Sequence, residues 1–214
     1  MPSTKTYGEY ALVGGQFVEW NQFVSENAWA ANHGFTLPLP EKCRGVYYIV
    51  NKQEKTIIDR ASIVTYDKKY KEEFKELNLI WVTQLFEVEA SDIKQLETPE
   101  ESIIHSGGEI FFALTYQGVV AGVVADVIHN GNCELAKMTV RKECTGKGYA
   151  KILMRECIEW AKEKKYPYIE LYSSLRLENA IALYKKFGFK TIHLGQHPSY
   201  KRCDIIMKLD FDQK

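Results

Sequence analysis

The stretch ELAKMTVRKECTGKGYAKILMRECIEW, residues 134–160, decides the fold because it joins a β-branched run to a helical one through two glycines. Gly146 and Gly148 stand where the strand is expected to end and the helix to begin. Such a junction presents unpaired N–H groups and the positive end of a helix dipole, which together suit an anion such as phosphate. A tight turn that only needs flexible dihedrals would use the same glycines, so the surrounding sequence has to decide.

Two classes of phosphate-binding loop do not fit the junction. A P-loop requires GxxxxGK[ST], and Gly146-Lys147-Gly148-Tyr149 lacks both the first glycine and the Ser/Thr for magnesium. A dinucleotide-binding fold requires GxGxxG, but Lys151 stands at the third glycine position. Three antiparallel-looking strands also precede the junction, where that fold would have a βαβ unit. Both classes are therefore excluded.

Hydrophobic periodicity predicts an α/β domain with a mixed sheet around the junction. The predicted elements are a helix from Tyr66, a short helix begun by Ser91 and ended before Pro99, a three-stranded meander over 108–140, a helix from Gly148 to about Lys165, a strand over 168–174, a helix over 177–189 ended by Gly188, and the strands KTIHLG and CDIIMKLD. On the helix after Gly148 the pattern places Ala150, Leu153 and Cys157 in the core and Arg155 outside.

The first sixty residues contain a different pattern and no chemical motif. Residues 10–20 alternate around Gly14-Gly15, and residues 46–66 form a longer alternating pair, so both are predicted to be hairpins. Residues 25–34 are predicted to be a short helix capped by Ser25 and stopped by Gly34. We expect 1–58 to be a hairpin-rich extension packed on a main domain of 59–214, since about sixty residues make a marginal core alone. The extension could lengthen the sheet, cover a cleft or form a dimer contact, and these alternatives stay open.

Composition narrows the class of protein. The 214 residues carry 28 basic and 28 acidic side chains, which argues against a mainly electrostatic hold on nucleic acid or an anionic membrane. No apolar run approaches the ~18 residues of a spanning helix, and the start lacks the apolar core of a secretion signal. The five cysteines form no CxxC pair, and no histidine lies at ligand spacing from them. We therefore expect reduced, mostly buried thiols, no metal and a cytoplasmic protein.

Five features follow one another along the chain: ELAKMTV, GKGYAKIL, the long helix, the next strand and NAIALYKKFGF. In this order they resemble the GNAT acetyltransferase superfamily, and the resemblance covers roughly residues 60–210. Its cofactor motif, Arg/Gln-x-x-Gly-x-Gly/Ala, is matched at Gly148 and Ala150, whereas Thr145 replaces the leading Arg/Gln. The hydroxyl of Thr145 could itself donate to a phosphate oxygen. The resemblance implies a mixed, mostly antiparallel sheet flanked by helices and splayed between the strands at 134–140 and 168–174, where acetyl-CoA would lie as co-substrate.

The resemblance also implies which residues contact the cofactor. These are Met138, Thr139, Val140, Thr145, Gly146, Lys147, Gly148, Tyr149, Ala150, Asn179 and Lys186. Met138 and Val140 would contact the pantetheine arm through main-chain groups. The alternation of the strand places Ala136, Met138 and Val140 on one face and Leu135, Lys137 and Thr139 on the other. An ordinary half-buried strand would alternate in the same way.

Catalytic roles are carried over in the same manner. Tyr184 lies in LYKKFGF, which matches the family's LYxKxGF signature, and would protonate the leaving thiolate. Glu134 is the favoured base because it stands on the strand that lines the gap. The remaining candidate bases are the carboxylates Glu87, Glu89, Asp92 and Glu170. Cys144 precedes the glycines without an adjacent histidine, so a covalent acyl-enzyme is disfavoured.

The resulting hypothesis is an N-acetyltransferase in which a primary amine attacks acetyl-CoA directly. Trp81, Phe86 and Glu87 would line the acceptor pocket. Two alternatives remain open: the same fold using another acyl-CoA, and a non-catalytic acyl-CoA-binding regulatory module. The acceptor, a small-molecule or peptide amine, is not identified by the sequence, and a homodimer stays open.

Overall fold

The computed structural model describes residues 7–211 and contains one ten-stranded sheet flanked by helices. The strand order is β2-β1-β3-β4-β5-β6-β7-β8-β10-β9. The strands are β1 (Gly8–Val13), β2 (Gln16–Glu19), β3 (Cys43–Asn51), β4 (Thr56–Thr65), β5 (Glu109–Leu114), β6 (Val120–His129), β7 (Asn132–Val140), β8 (Tyr168–Ser173), β9 (Lys190–Leu194) and β10 (Ile205–Asp210). Among these described strands only the pairs β1–β3 and β7–β8 are parallel, which confirms the mixed, mostly antiparallel sheet.

Five α-helices cover this sheet in the described part of the chain. They are α1 (Trp20–Glu26), α2 (Lys71–Leu85), α3 (Ala90–Glu97), α4 (Tyr149–Glu163) and α5 (Glu178–Lys186). One hydrophobic cluster joins α4 and α5 to the sheet, a second lies under α2 and α3, and a third packs α1 on β1 and β3. None of these helices is both long and apolar enough to cross a membrane.

Most predicted elements are confirmed, but three helix starts are wrong. The helix expected from Tyr66 is α2, which begins at Lys71 after a 3-10 turn at Lys68–Tyr70 that Asp67 caps. The predicted helix over 25–34 is instead α1, which begins at Trp20 and is followed by a 3-10 turn at Ala28–Asn32. Ser25 lies inside α1 and its hydroxyl donates to the carbonyl of Gln22, so it caps nothing. The helix expected to begin at Ser91 begins at Ala90, because Glu89 and Asp92 form its capping box.

The sheet parts between β7 and β8. These strands pair at only two positions, Cys133 with Ile169 and Glu134 with Glu170, although β7 continues to Val140. On its other side β7 pairs with β6 as far as Val140. The splay implied by the resemblance is therefore present, and it begins immediately after Glu134.

A β-bulge in β7 corrects the predicted alternation. Ala136 pairs with Ala125 and Thr139 with Val123, so two residues of β7 oppose one of β6. The backbone of Lys137 takes up the extra residue in a left-handed conformation, φ 54°. Leu135, Met138 and Val140 consequently share the α4 side, while Ala136 packs on the α2 side. The expectation that Ala136 shares a face with Met138 is wrong because strict alternation assumes a regular strand.

The N-terminal strands bury a second side of α4. Arg155, predicted to lie outside, instead has its guanidinium 3.8 Å from the ring centroid of Tyr10 and donates to the Tyr47 hydroxyl at 2.8 Å. Its neighbour Glu156 is 4% exposed and accepts hydrogen bonds from Tyr47 and from Arg44, the latter at 2.9 Å. Amphipathic spacing alone predicts one buried stripe on α4. The contacts of Arg155 and Glu156 with β1 and β3 bury a second part of the helix surface.

The predicted hairpins of the first sixty residues are β1–β2 and β3–β4, and both lengthen the sheet. The expected boundary between 58 and 59 falls inside β4. The division into an extension and a main domain stays a prediction, and its residues 1–6 and 212–214 lie outside the described residues.

We predict that Glu156→Gln lowers the free energy of unfolding by about 1.5–3 kcal/mol, because it removes the buried negative charge to which Tyr47 and Arg44 donate. Urea denaturation measures the loss. Glu159→Gln, which removes the exposed partner of Lys162 one turn along, should cost less than about 0.5 kcal/mol. Equal losses in the two variants would show that the Glu156 network does not hold the N-terminal strands on α4.

Candidate functional site

A cavity of about 220 Å³ opens where β7 and β8 part. Helices α2 and α3 lie on one side of it, α5 lies on another, and the loop before β10 closes the end. Among its lining residues are Trp81, Phe86, Glu134, Met138 and Tyr184, five residues that the sequence assigned to three different roles. The long-range fold therefore brings these five side chains to one place.

The other predicted site residues lie outside this cavity. Glu87 is exposed and lines an adjoining cavity of about 750 Å³. Asn179 and Lys186 are exposed on α5. Thr139 and Val140 continue β7 from Met138 towards the glycine turn. The turn and the start of α4 hold the remaining residues, Thr145, Gly146, Lys147, Gly148, Tyr149 and Ala150.

The glycine turn has the geometry of an anion site. Gly146 and Gly148 have φ values of 76° and 99°, which favour glycine, and α4 begins directly afterwards. The first N–H groups of α4 have no acceptor within the helix. A Cβ at Gly146 would meet open space, so the approach to the backbone there is clear. The Thr145 hydroxyl donates to the carbonyl of Lys142 at 2.6 Å, so its proton is not directed to a ligand.

Gly148 has a second requirement that the sequence did not reveal. A Cβ at this position would lie 2.5 Å from Cδ2 of Leu12 in β1. Tyr149, buried at the start of α4, donates its hydroxyl to the carboxylate of Asp59 in β4. The N-terminal strands therefore pack directly against the start of the helix that follows the glycine turn.

Glu134 has the electrostatics of a base that works near neutral pH. Burial raises the pKa of its carboxyl to about 7; the charge of Lys137 lowers it and that of Glu170 raises it. Its Oε2 lies 3.5 Å from Nε2 of His129, which is half exposed. Glu134 also lines a groove of about 520 Å³ beside the turn between β6 and β7, so it stands between that groove and the cavity.

Tyr184 is 8% exposed and packs in the cluster shared by α4 and α5, where its ring centroid lies 6.1 Å from that of Phe189, the last residue of LYKKFGF. Burial raises the pKa of its hydroxyl to about 12. The phenol therefore stays protonated over the whole neutral range and is available as a hydrogen-bond donor.

Sequence reasoning missed a buried ion cluster in the same cavity. Asp92 of α3 accepts from both Nη atoms of Arg202, Nη2 at 2.6 Å, and from Nζ of Lys137 at 2.8 Å. Burial opposes ionisation, but the hydrogen bonds from Arg202 and the charge of Lys137 hold the pKa of Asp92 well below its usual range. Asp92 was a candidate base, and these bonds make it a poor one. Arg202 lies 110 residues away in no recognisable motif, so no local signal could have found it.

The cysteines are not arranged for catalysis or metal binding in the described residues. Cys133, Cys144, Cys157 and Cys203 are buried, as expected. Burial raises the pKa of the Cys144 thiol, which disfavours a thiolate nucleophile. Within residues 7–211 no three His, Cys, Asp or Glu side chains are placed to hold a metal ion.

Comparison with known proteins gives one family. Residues 74–189 match the model of the acetyltransferase (GNAT) family. Human N-acetylaspartate synthetase is 31% identical over 103 residues, which cover 47% of this chain and 33% of that protein. The chain thus spans about a third of the length of this curated relative.

Solved structures show the same fold. A GNAT-family acetyltransferase from Staphylococcus aureus superposes with a TM-score of 0.63 at 24% identity, covering 70% of this chain and 98% of that one. A PaiA N-acetyltransferase from Thermoplasma acidophilum, in complex with coenzyme A, gives 0.58 at 20% identity, covering 71% and 99%. Because the family match covers more than half of the 214 residues and agrees with the splayed sheet, the chain belongs to the GNAT acetyltransferase family.

Proposed function

We propose that the chain is an N-acetyltransferase that moves the acetyl group of acetyl-CoA to a primary amine of a small molecule or peptide. The observation that carries the proposal is the gap between β7 and β8, onto which a candidate base, Glu134, and a candidate donor, Tyr184, both open. Family membership supports acetyl transfer in general.

The residues fit acetyl-CoA in two respects. Beyond Glu134 the edge of β7 that faces β8 offers main-chain groups to an extended chain such as pantetheine. The turn at Gly146 and Gly148 offers N–H groups and a helix dipole to a pyrophosphate. Met138, Thr139 and Val140 would hold the first, and Thr145 to Ala150 the second, with Asn179 and Lys186 at the rim.

Glu134 prepares the acceptor. With a pKa of about 7, its carboxylate is a base at neutral pH and takes the proton that the amine loses. His129, 3.5 Å away on the exposed side, can pass that proton on to water. Trp81 and Phe86, with rings 6.1 Å apart and nearly perpendicular, form an aromatic wall beside the acceptor.

Tyr184 stabilises the leaving group. Acetyl-CoA supplies an activated acetyl thioester; transfer forms the amide C–N bond, breaks the C–S bond and leaves a thiolate. A thiol has a pKa near ~8.5, so a phenol whose pKa is about 12 gives up its proton to it only partly. We therefore assign Tyr184 a hydrogen bond to the thiolate, which takes its final proton from the phenol or from water.

The alternatives are separated by binding and turnover. A thermal-shift series with CoA, acetyl-CoA and a longer acyl-CoA tests the donor, and no shift with any of them would contradict every version of the proposal. Release of free CoA over a panel of amines then separates an enzyme from a regulatory module. A preference for the longer donor in turnover would favour the other acyl-CoA.

Tyr184→Phe should lower kcat about 10- to 100-fold, because it removes one hydrogen bond to the developing thiolate. Its affinity for CoA, measured by calorimetry, should change less than about threefold. Tyr166→Phe, which also truncates a tyrosine packed in the same cluster, is the control and should leave kcat unchanged. Unchanged turnover in Tyr184→Phe would remove the tyrosine from its role.

The pH profile of kcat/KM should show an inflection near 7 that belongs to Glu134. Activity should fall by up to about tenfold per pH unit below it, because the protonated carboxyl cannot accept the amine's proton. Glu134→Gln should remove this inflection and leave only the titration of the acceptor amine. Glu170→Gln should keep activity and move the inflection to lower pH, since the charge of Glu170 raises the pKa of Glu134. An unaltered inflection in Glu134→Gln would assign the base elsewhere.

A further inference from the structure

Two buried polar atoms of the cavity have no hydrogen-bond partner among the described residues. They are Oδ1 of Asn78, an acceptor, and Nε1 of Trp81, a donor. Asn78 is fully buried, and its Nδ2 is fixed by a 2.8 Å bond to the carbonyl of Phe74, so Oδ1 is the free end of the amide. A buried polar atom left unpaired is costly, and both residues line the cavity. They therefore point to a ligand that accepts at one place and donates at another.

Lys137 adds a cation whose ammonium group has further hydrogen-bond donors besides the one that bonds Asp92. The bulge in β7 places it on the cavity, with its side chain 11% exposed. Of the three donors on its ammonium group, one bonds Asp92. The left-handed backbone at Lys137 is uncommon for any residue other than glycine, asparagine or aspartate. Lys42, Lys55 and Lys165 also have positive φ, so at Lys137 the informative feature is the bulge, which directs its ammonium group to Asp92.

The cavity lining holds two cations, Lys137 and Arg202, and two carboxylates, Asp92 and Glu134. Lys137 and Arg202 share one carboxylate, Asp92. Glu89 lies 3.6 Å from Arg202 and lines the adjoining cavity rather than this one. Glu134 also lines the cavity, and its carboxylate is reserved for the amine in the proposed reaction.

We propose that the acceptor carries a carboxylate beside its amine, as an amino acid does, with Lys137 and the Trp81 indole N–H binding the carboxylate and Asn78 Oδ1 receiving the amine. The inference rests on the proposed function and specifies its substrate class. A polyamine would place a second positive charge against Lys137 and Arg202, which like-charge repulsion disfavours. A cavity of about 220 Å³ also suits a small acceptor better than a folded chain.

The test compares acceptors that differ in the carboxylate. Release of CoA is measured with L-alanine, L-lysine and L-aspartate, and with the carboxamide and the decarboxylated amine of each. The carboxylate-bearing member of each productive set should have a kcat/KM about 10- to 100-fold higher, the ratio that one charge-assisted hydrogen bond supplies. Equal or better use of the uncharged or polyamine members would overturn the inference and leave the proposed acetyl transfer standing.

Variants assign the preference to its residues. Lys137→Met should lower the ratio severalfold, whereas Lys137→Arg should keep most of it, because only the second variant retains a cation. Trp81→Phe, which deletes the indole N–H and keeps an aromatic ring, should lower the ratio without depending on the fold of the bulge. Lys94→Met removes an exposed cation from α3, away from the cavity, and should leave the ratio unchanged. A ratio that survives both Lys137→Met and Trp81→Phe contradicts the assignment.

Binding separates this inference from the proposed function. The same acceptors are titrated by calorimetry into wild-type protein saturated with CoA, which carries no acetyl group to transfer. Tighter binding of the carboxylate-bearing members, weakened in Lys137→Met, supports the inference even where no acetyl transfer is found. Binding without that preference, or binding of neither class, overturns it whether or not acetyl transfer occurs.

Discussion

The parting of β7 from β8 after Glu134 is the constraint on which the rest of the molecule depends. A strand inside a sheet has both rows of main-chain groups paired, and β7 keeps only the row that faces β6 along its whole length. Buried N–H and C=O groups need partners, so the open row has to be satisfied by water or by a ligand. The cavity, the glycine turn and the two candidate catalytic side chains are all arranged around that open edge.

The bulge at Lys137 determines which side chains lie beside the open edge of β7. In a regular strand Met138 would lie on the same side as Ala136, facing α2. The extra residue of the bulge turns Met138 to the α4 side instead. It also brings Lys137 to Asp92, which Arg202 holds from the opposite wall. One carboxylate thus ties together α3, β7 and the loop before β10, the three elements that enclose the acceptor side. The geometry of the cavity depends on this ion cluster as much as on apolar packing.

Short sequence patterns predicted the helices, strands and turns whose signals lie close together in the chain. The glycine turn, the meander, the LYKKFGF helix and both N-terminal hairpins have signatures within twenty or so residues, and each is confirmed as an element. The residue roles that the resemblance assigned to them stay predictions. Some failures are local, such as the start of α3, which the capping box of Glu89 and Asp92 sets. Others depend on distant partners: Arg155 is covered because β1 and β3 return over α4, and Asp92 is engaged because Arg202 arrives from 110 residues away.

The same limit applies to Gly148 and Lys137. The sequence explains Gly148 by a turn and a ligand, whereas the structure adds Leu12, which leaves no room for a Cβ. Nothing in ELAKMTV marks the bulge, because its register is set by the pairing of β6 with β7. Side-chain spacing in the sequence predicts a regular strand. The bulge departs from that pattern, and it places both Lys137 and Met138 on the cavity.

Amide hydrogen exchange measures whether the open edge of β7 binds the pantetheine arm of CoA. The exchange rates of residues 135–140 are compared with and without saturating CoA, and those of β5 serve as the internal reference. We expect CoA to slow exchange at the β7 amides that face β8 and at the first amides of α4, while exchange in β5 is unchanged. If CoA binds by calorimetry and the amides of β7 are no better protected, the claim is contradicted.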